Sequence, residues 1–209
     1  MNRCLALLVL PLLLVVGGCT AGKADDEPAP RPAAAERPSP FRDCSTLGAA
    51  PTAATTAPTT TGTTAAAGGQ TLPELTLSCF TGGAPVALRD LAGPAVINVW
   101  ASWCGPCRKE LPAFQRLSER TAGQLQVVGV NTRDSRGGAQ SIGEDFGVRF
   151  PILVDQGDAL QRELKRNAFP LTLFVDADGR IRHIDATGAL DDAQLVKLVR
   201  QHLGLAVPA

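Results

Sequence analysis

Two cysteines separated by two residues restrict this chain more than any other feature. Residues 103–107 read Trp-Cys-Gly-Pro-Cys, directly after the apolar run 95–101 and directly before a helical pattern. Where a strand turns into a helix, such a pair can close a disulfide and reopen it. The helix N-terminus also stabilises a thiolate on the first cysteine. The motif therefore predicts thiol–disulfide exchange through a mixed disulfide.

A zinc half-site and a purely structural disulfide are the competing interpretations of this pair. Zinc requires four ligands, and the chain has two histidines, neither of them near a second pair of closely spaced cysteines. A disulfide that closes so small a loop removes little entropy from the unfolded chain. We therefore expect the Cys104–Cys107 disulfide to be redox-active, with no metal and no other cofactor.

Residues 1–18 have the pattern of a secretory signal peptide. Arg3 supplies the positive charge, and residues 5–16 form an apolar stretch that is too short to span a bilayer comfortably. Residues 16–19 read Val-Gly-Gly-Cys, which resembles the bacterial lipobox and implies cleavage before Cys19 and lipid attachment to its sulfur. The alternative is an ordinary signal peptide with Cys19 as a spare thiol. We expect an extracytoplasmic lipoprotein, anchored to the cell membrane in a compartment that permits disulfides.

Composition divides the remainder into a linker, residues 19–70, and one domain, residues 71–207. The linker is rich in Ala, Thr, Pro and Gly, so we expect it to be disordered. Its length corresponds to a root-mean-square span of about 40 Å. The chain carries 20 basic and 20 acidic residues without a basic stripe, which argues against nucleic acid as a partner. We expect a monomer.

Hydrophobic patterns in the domain alternate between strands and helices. The predicted strands are 75–80, 86–88, 95–101, 126–131, 152–154, 171–176 and 180–186. The predicted helices are 106–121, 139–146, one that begins at Asp158 as N-cap, and 191–203. A βαβ unit followed by a β-hairpin and a helix is the thioredoxin arrangement, an α/β fold with a central mixed β-sheet flanked by helices.

These residues resemble the thioredoxin superfamily and, more narrowly, the TlpA/ResA-like membrane-anchored thiol–disulfide oxidoreductases. The resemblance rests on the motif 103–107, on Pro112 in the following helix, and on Phe169-Pro170 ahead of a strand. Residues 137–151 match the insertion that distinguishes this group from plain thioredoxins. The resemblance covers about two thirds of the chain. It implies a thioredoxin fold with an N-terminal β-hairpin extension and a central insertion.

The resemblance also implies roles for single residues. Cys104 is expected to be the attacking thiol and Cys107 the buried resolving thiol. Pro170 is expected to follow a cis peptide bond, which costs little before proline. Phe169 is expected to pair its backbone with an extended substrate. The other residues that match the family's active site are Trp103, Gly105 and Pro106.

Glu110 matches a glutamate that this group carries three residues after the second cysteine. Plain thioredoxins have a buried aspartate in the preceding strand, where this chain has Asn98, which cannot act as a base. Cys107 and Glu110 share a helix face, so Glu110 is a candidate for taking the proton of Cys107 or for tuning Cys104. The alternative is that Glu110 only complements the helix dipole.

Cys44 and Cys79 are left over, and in an oxidising compartment a leftover pair usually bonds. Their disulfide would close a loop of about 36 residues, worth about 4 kcal/mol in the chain-entropy model. It would also pin the linker to the domain. The alternative is a second redox relay, although no closely spaced cysteine surrounds either residue.

The family resemblance suggests a reductase of disulfides in exported proteins, of the cytochrome c maturation type. Electrons would come from a membrane thiol carrier of the CcdA/DsbD type. The opposite direction, a disulfide-forming oxidase, stays open, although Gly105-Pro106 is shared with thioredoxin, which is reducing. A copper metallochaperone and a peroxidase are alternatives of other classes. Against copper, the chain has one methionine and a proline where the fold would otherwise permit a ligand.

Overall fold

The computed structural model of the protein describes residues 37–48 and 69–208. The signal peptide, the lipobox with Cys19 and most of the linker lie outside these residues. In the described part of the chain, no helix is both long enough and apolar enough to cross a membrane.

In the part of the chain that the structure describes, an eight-stranded mixed sheet forms the centre of the domain, in the order β1-β8-β7-β4-β5-β6-β2-β3. β4 pairs in parallel with β5 and antiparallel with β7, so it lies in the middle of the sheet. The strands are β1 (Gln70–Thr71), β2 (Thr76–Cys79), β3 (Val86–Ala87), β4 (Ala95–Trp100), β5 (Gln126–Thr132), β6 (Ile152–Asp155), β7 (Leu171–Val175) and β8 (Arg180–Asp185). The sheet and its flanking helices confirm the predicted thioredoxin fold, including the β2–β3 hairpin.

Within the described residues, four α-helices accompany the sheet: α1 (Gly105–Arg120), α2 (Arg136–Asp145), α3 (Ala159–Glu163) and α4 (Asp192–Leu203). α1 contains Pro112. α4 begins with a capping box in which Asp191 and Gln194 satisfy each other's backbone N–H groups, and it ends at Gly204 in the left-handed conformation. α2 occupies the central insertion that the family resemblance implied.

Alternation along β4 divides the core between the two faces of the sheet. Val96 and Trp100 pack in the cluster that also contains Phe114 of α1. Ile97 and Val99 pack in a second cluster on the opposite side of the strand. Every residue of β4 is buried, as its continuous apolar run predicted. The strand thus leads from the middle of the core directly to Cys104.

The N-terminal strap, which we define as residues 38–48, packs against the domain. Phe41, Cys44 and Leu47 are buried, and the Arg42 N–H donates to the carbonyl oxygen of Arg149 at 2.8 Å. This segment differs from the disorder expected across the linker, because its few apolar side chains find places in the core. A disulfide joins Cys44 to Cys79 of β2, with the Cα atoms 5.9 Å apart, as the leftover pair predicted.

Three local features differ from the sequence prediction. α2 begins at Arg136 rather than Ala139, because the Ser135 hydroxyl caps it by accepting from the Gly138 N–H. β1 was not predicted, since two residues carry no periodic signal. Asp158 holds the N-cap position of α3 without capping it through its side chain. The Asp155 carboxylate accepts from the first N–H groups of that helix instead.

Candidate active site

Cys104 and Cys107 form a disulfide at the start of α1. Cys104 is the N-cap residue of the helix, and its sulfur accepts a hydrogen bond from the Cys107 N–H at 3.2 Å. Gly105 and Pro106 form the first turn, where proline loses no helical hydrogen bond. Cys104 keeps 5 % of its surface exposed and Cys107 none, so Cys104 is the more accessible of the two cysteines. The attacking role of Cys104 and the resolving role of Cys107 stay predictions.

The helix N-terminus next to Cys104 favours negative charge. The first N–H groups of α1 have no partner within the helix, and their dipoles point toward the Cys104 sulfur. Once the disulfide is reduced, this environment stabilises a thiolate on Cys104 in preference to a thiol. The arrangement is therefore suited to nucleophilic attack on another disulfide.

Trp103 and Phe169 form an aromatic surface beside the disulfide. The Trp103 side chain is 56 % exposed, and its ring meets the Phe169 ring edge-on, with centroids 5.0 Å apart. The Phe169–Pro170 peptide bond is cis, as the resemblance implied. Pro170 leads into β7, which pairs with β4, so the loop is held next to the strand that leads to the cysteines.

A loop that the sequence did not single out supports Trp103 from the other side. The Trp103 indole N–H donates to the carbonyl oxygen of Arg133 at 2.9 Å, and the Arg133 guanidinium lies 4.9 Å from the centre of the Phe169 ring. Arg133 has a positive φ of 48°, which is uncommon outside glycine. In this conformation the Arg133 carbonyl oxygen is directed at the Trp103 indole N–H.

The adjacent Asp134 fixes the residue that precedes Trp103. Its carboxylate accepts from the Ser102 N–H at 2.5 Å and from the Ser102 hydroxyl at 2.6 Å. It also accepts from the Asn131 side chain at 2.8 Å and from the Ser135 N–H at 2.8 Å. Asp134 thereby ties the end of β5 to the approach of the active-site motif. An aspartate before the Ser135 helix cap was the available sequence signal for this role.

Glu110 lies inside the protein, one turn after Cys107 on α1, with 1 % of its surface exposed. Its carboxylate accepts from the Asn98 side-chain amide at 2.6 Å and from the Leu190 N–H at 3.0 Å. Burial raises the pKa of Glu110 to about 7, and the charge of Asp185 adds to the increase, while both hydrogen bonds oppose it. A carboxyl group with this pKa can accept and release a proton near neutral pH.

The remaining candidates lie apart from this site. Cys44 and Cys79 pack in the core cluster on the other side of β4 from Cys104 and Cys107. His183 stacks on His202 with ring centroids 4.0 Å apart, a contact between β8 and α4 that the sequence did not indicate. Across residues 37–48 and 69–208, no group of three or more His, Cys, Asp or Glu residues could hold a metal ion.

Comparison with known proteins places this geometry in a family. The redoxin family model matches residues 67–197. The chain is 32 % identical to the thioredoxin-like protein YneN of Bacillus subtilis over 120 residues, which cover 56 % of this chain and 69 % of YneN. It is 30 % identical to the thiol–disulfide oxidoreductase ResA of Geobacillus thermodenitrificans over 141 residues, which cover 66 % of this chain and 78 % of that protein.

Solved structures show the same fold. A secreted disulfide oxidoreductase of Mycobacterium tuberculosis, homologous to DsbE of E. coli, is 25 % identical with a TM-score of 0.55, over 61 % of this chain and 96 % of that one. A DsbF homologue of Corynebacterium diphtheriae is 26 % identical with a TM-score of 0.57, over 64 % and 87 %. The chain therefore belongs to the redoxin family and is a ResA-like thiol–disulfide oxidoreductase of the thioredoxin superfamily.

Proposed function

We propose that the protein is an extracytoplasmic reductase of disulfides in exported proteins and acts as a lipid-anchored monomer. The observation that carries the chemistry is the Cys104–Cys107 disulfide, in which the N-capping Cys104 keeps a small exposed surface and Cys107 is fully buried. The location is supported by the signal peptide and lipobox patterns in residues 1–19. It is also supported by the relative from M. tuberculosis, which is described as secreted.

The reduced enzyme begins each cycle with attack by the Cys104 thiolate on a substrate disulfide. One substrate sulfur bonds to Cys104, and the other leaves as a thiolate that takes a proton from water. Cys107 then loses its proton to Glu110, and its sulfur bonds to Cys104. The bond between Cys104 and the substrate breaks, and the second substrate thiolate leaves. The substrate gains two electrons and the enzyme ends as the Cys104–Cys107 disulfide.

Substrate binding uses the surface around Cys104. The backbone of Phe169, ahead of cis Pro170, provides an edge along which an extended substrate segment can pair. Trp103 presents an exposed ring beside it, held in place by the Arg133 carbonyl oxygen. These contacts engage backbone and apolar surface, which suits an enzyme that acts on many unfolded chains.

The reducing direction and the substrate class are the finer parts of the proposal. Gly105-Pro106 is the dipeptide of thioredoxin, a reductant. Within this family, the heme-attachment cysteines of apocytochrome c are the expected substrates. A membrane thiol carrier of the CcdA/DsbD type is the expected electron donor, because a dithiol outside the cytoplasm needs electrons from across the membrane.

The reduction potential of the Cys104–Cys107 pair tests the direction. We expect a value near that of thioredoxin, about −270 mV, in glutathione or dithiothreitol buffers. A value near about −120 mV would contradict the proposal and indicate a disulfide-forming oxidase. The Cys44→Ser/Cys79→Ser double variant is the control, since it leaves one disulfide to titrate within the described domain.

A second measurement addresses the substrate and the copper alternative. The reduced protein is mixed with an oxidised Cys-x-x-Cys-His peptide and with a matched peptide whose histidine is replaced by alanine. Faster reduction of the first peptide supports the heme-attachment class, and equal rates indicate a general reductase.

Titration of the reduced protein with Cu(I) should show no tight binding, whereas stoichiometric capture would favour a metallochaperone.

A further inference from the structure

Asn98 contacts Glu110, the buried acid of the active site, through the NH₂ group of its side-chain amide. It is fully buried in β4, and its Nδ2 lies 2.6 Å from Oε1 of Glu110. The carbonyl oxygen of the same amide, Oδ1, is buried without a hydrogen-bond partner in the described structure. An unpaired buried carbonyl oxygen is costly, so its presence next to the active site needs an explanation.

The two protonation states of Glu110 explain why Asn98 has an unpaired carbonyl oxygen. A charged carboxylate only accepts hydrogen bonds, whereas a protonated carboxyl group has an O–H that must donate. The Leu190 N–H at 3.0 Å from Oε2 can serve the acceptor side in both states. Asn98 carries the donor that the charged state needs and, in Oδ1, the acceptor that the neutral state needs. Turning the amide about its terminal torsion exchanges the two.

We propose that Asn98 is a positioning residue for the resolving step, and that its amide reorients when Glu110 takes up the proton of Cys107. The proposal rests on the thiol–disulfide exchange described above. In that step the Cys107 S–H bond breaks, the proton moves to Glu110, and the Cys107 sulfur displaces the substrate thiolate from Cys104. Asn98 Nδ2 stabilises Glu110 before the transfer, and Asn98 Oδ1 accepts from the new O–H after it.

Asn98 Oδ1 is the acceptor that a protonated Glu110 needs, because the other groups around Glu110 do not provide one. Cys107 lies one turn earlier on α1, and the negative charge of Asp185 on β8 favours the protonated form of Glu110. The segment before α4 contributes a backbone N–H, which carries no full charge. None of these groups provides an acceptor within hydrogen-bond distance for a protonated carboxyl. On β4 the alternation that places Val96 and Trp100 toward α1 places Asn98 there as well.

The pH profile of the resolving step tests the proposal. Reduced protein is labelled on Cys104 as a mixed disulfide with thionitrobenzoate, and release of this thiol is followed by absorbance as Cys107 attacks. In Asn98→Leu, which is similar in size to asparagine but has no polar group, both charge states of Glu110 lose a partner. The midpoint of the profile should rise by only about one pH unit, because the lost hydrogen bond to the carboxylate is stronger than the lost bond to the neutral carboxyl. A rise of about two units or more would show that Asn98 only donates, and would overturn the proposal. Below the midpoint the rate should fall about tenfold.

Controls separate this effect from general damage. Thr132→Val also replaces a fully buried polar group, whose oxygen has no partner in the described structure, and should leave the profile unchanged. Glu110→Gln should abolish the pH step. If the step persists in Glu110→Gln, or if Asn98→Leu keeps the wild-type midpoint, the proposal is overturned. A wild-type protein that releases no label would contradict the exchange function itself, which the reduction potential tests independently.

A second variant covers the case in which Asn98→Leu does not fold. Asn98→Asp keeps the side-chain size and places a second carboxyl against Glu110. Two carboxyl groups so close should titrate in two separated steps, with the higher midpoint above that of the wild type. A single step at the wild-type midpoint would overturn the proposal.

Discussion

The ring of Phe41 occupies the space that a side chain at Gly143 would need. A Cβ built on Gly143 would lie 2.4 Å from two atoms of that ring, well inside contact distance. The ring also meets the Phe80 ring edge-on, with centroids 4.8 Å apart. Phe41 belongs to the N-terminal strap and Gly143 to α2, so this contact holds the strap to the central insertion.

Gly143→Ala should therefore destabilise the protein, although alanine is the better helix former. Displacing Phe41 is an overpacking change, for which we expect a loss of about 1–3 kcal/mol in the free energy of unfolding. Urea denaturation measures it. Gly137→Ala, in the same helix with open space around its Cβ position, is the matched control and should be neutral or stabilising. Equal stability of the two variants would contradict the assigned contact.

The Cys44–Cys79 disulfide should contribute to stability without taking part in exchange. In Cys44→Ala/Cys79→Ala we expect the free energy of unfolding to fall by about 4 kcal/mol, because the unfolded chain regains the entropy of a long loop. The rate of substrate reduction per folded molecule should stay unchanged. A large drop in that rate at equal folded fraction would instead identify the pair as a redox relay.

Glu110→Gln should slow the resolving step while leaving the first attack by Cys104 intact. Glutamine occupies the same space but cannot take the Cys107 proton, so mixed disulfides should accumulate. General acid–base groups typically contribute about a hundredfold or more to a rate. Non-reducing gels of protein mixed with a disulfide substrate measure the accumulation. An unchanged resolving rate would leave Glu110 with only a structural role.

Glu110 should also make the stability of the oxidised protein depend on pH. Its pKa is raised to about 7 from the ordinary value of 4.5, so the folded state holds a proton that the unfolded state has lost between these values. The contribution of Glu110 to the free energy of unfolding is therefore fully present below about pH 4.5. It falls by on the order of 3 kcal/mol as the pH rises toward about 7. Thermal unfolding across this range should show the fall in wild type and not in Glu110→Gln.

Asp134→Ala should loosen the approach to the active-site motif. The substitution leaves the Ser102 N–H and the Asn131 amide without their acceptor, and we expect a loss of about 2–4 kcal/mol in stability. The rate of attack by Cys104 should fall as well, because Ser102 is two residues before it. Ser102→Ala removes only the hydrogen bond from the Ser102 hydroxyl to Asp134 and should give a smaller effect on both measurements. Equal effects of the two variants would contradict the proposed role of Asp134.

Sequence patterns predicted the parts of the fold that depend on neighbouring residues. The buried run of β4, the amphipathic α1 and the β7–β8 hairpin all have periodic signals of their own. The cysteine motif located the active site because its chemistry lies within five consecutive residues, 103–107.

Contacts between distant segments were not predictable in the same way. Asp134 binds Ser102 across 32 residues, and Asn98 binds Glu110 across 12. Phe41 lies in a segment of linker-like composition, and only the folded domain provides the cavity that buries it. These contacts depend on how β4, β5, α1 and α2 pack against one another, which no local pattern records.

The Cys44–Cys79 disulfide also determines how the protein carries mechanical load. β1, a strand of two residues, lies at the opposite end of the sheet from the β2–β3 hairpin. When the chain is pulled from a point before Cys44, tension passes through the sulfur bridge into β2 and bypasses β1. Once this bridge is reduced, only the noncovalent contacts of the strap would protect β1 from the applied force, and β1 pairs with β8 through just two residues.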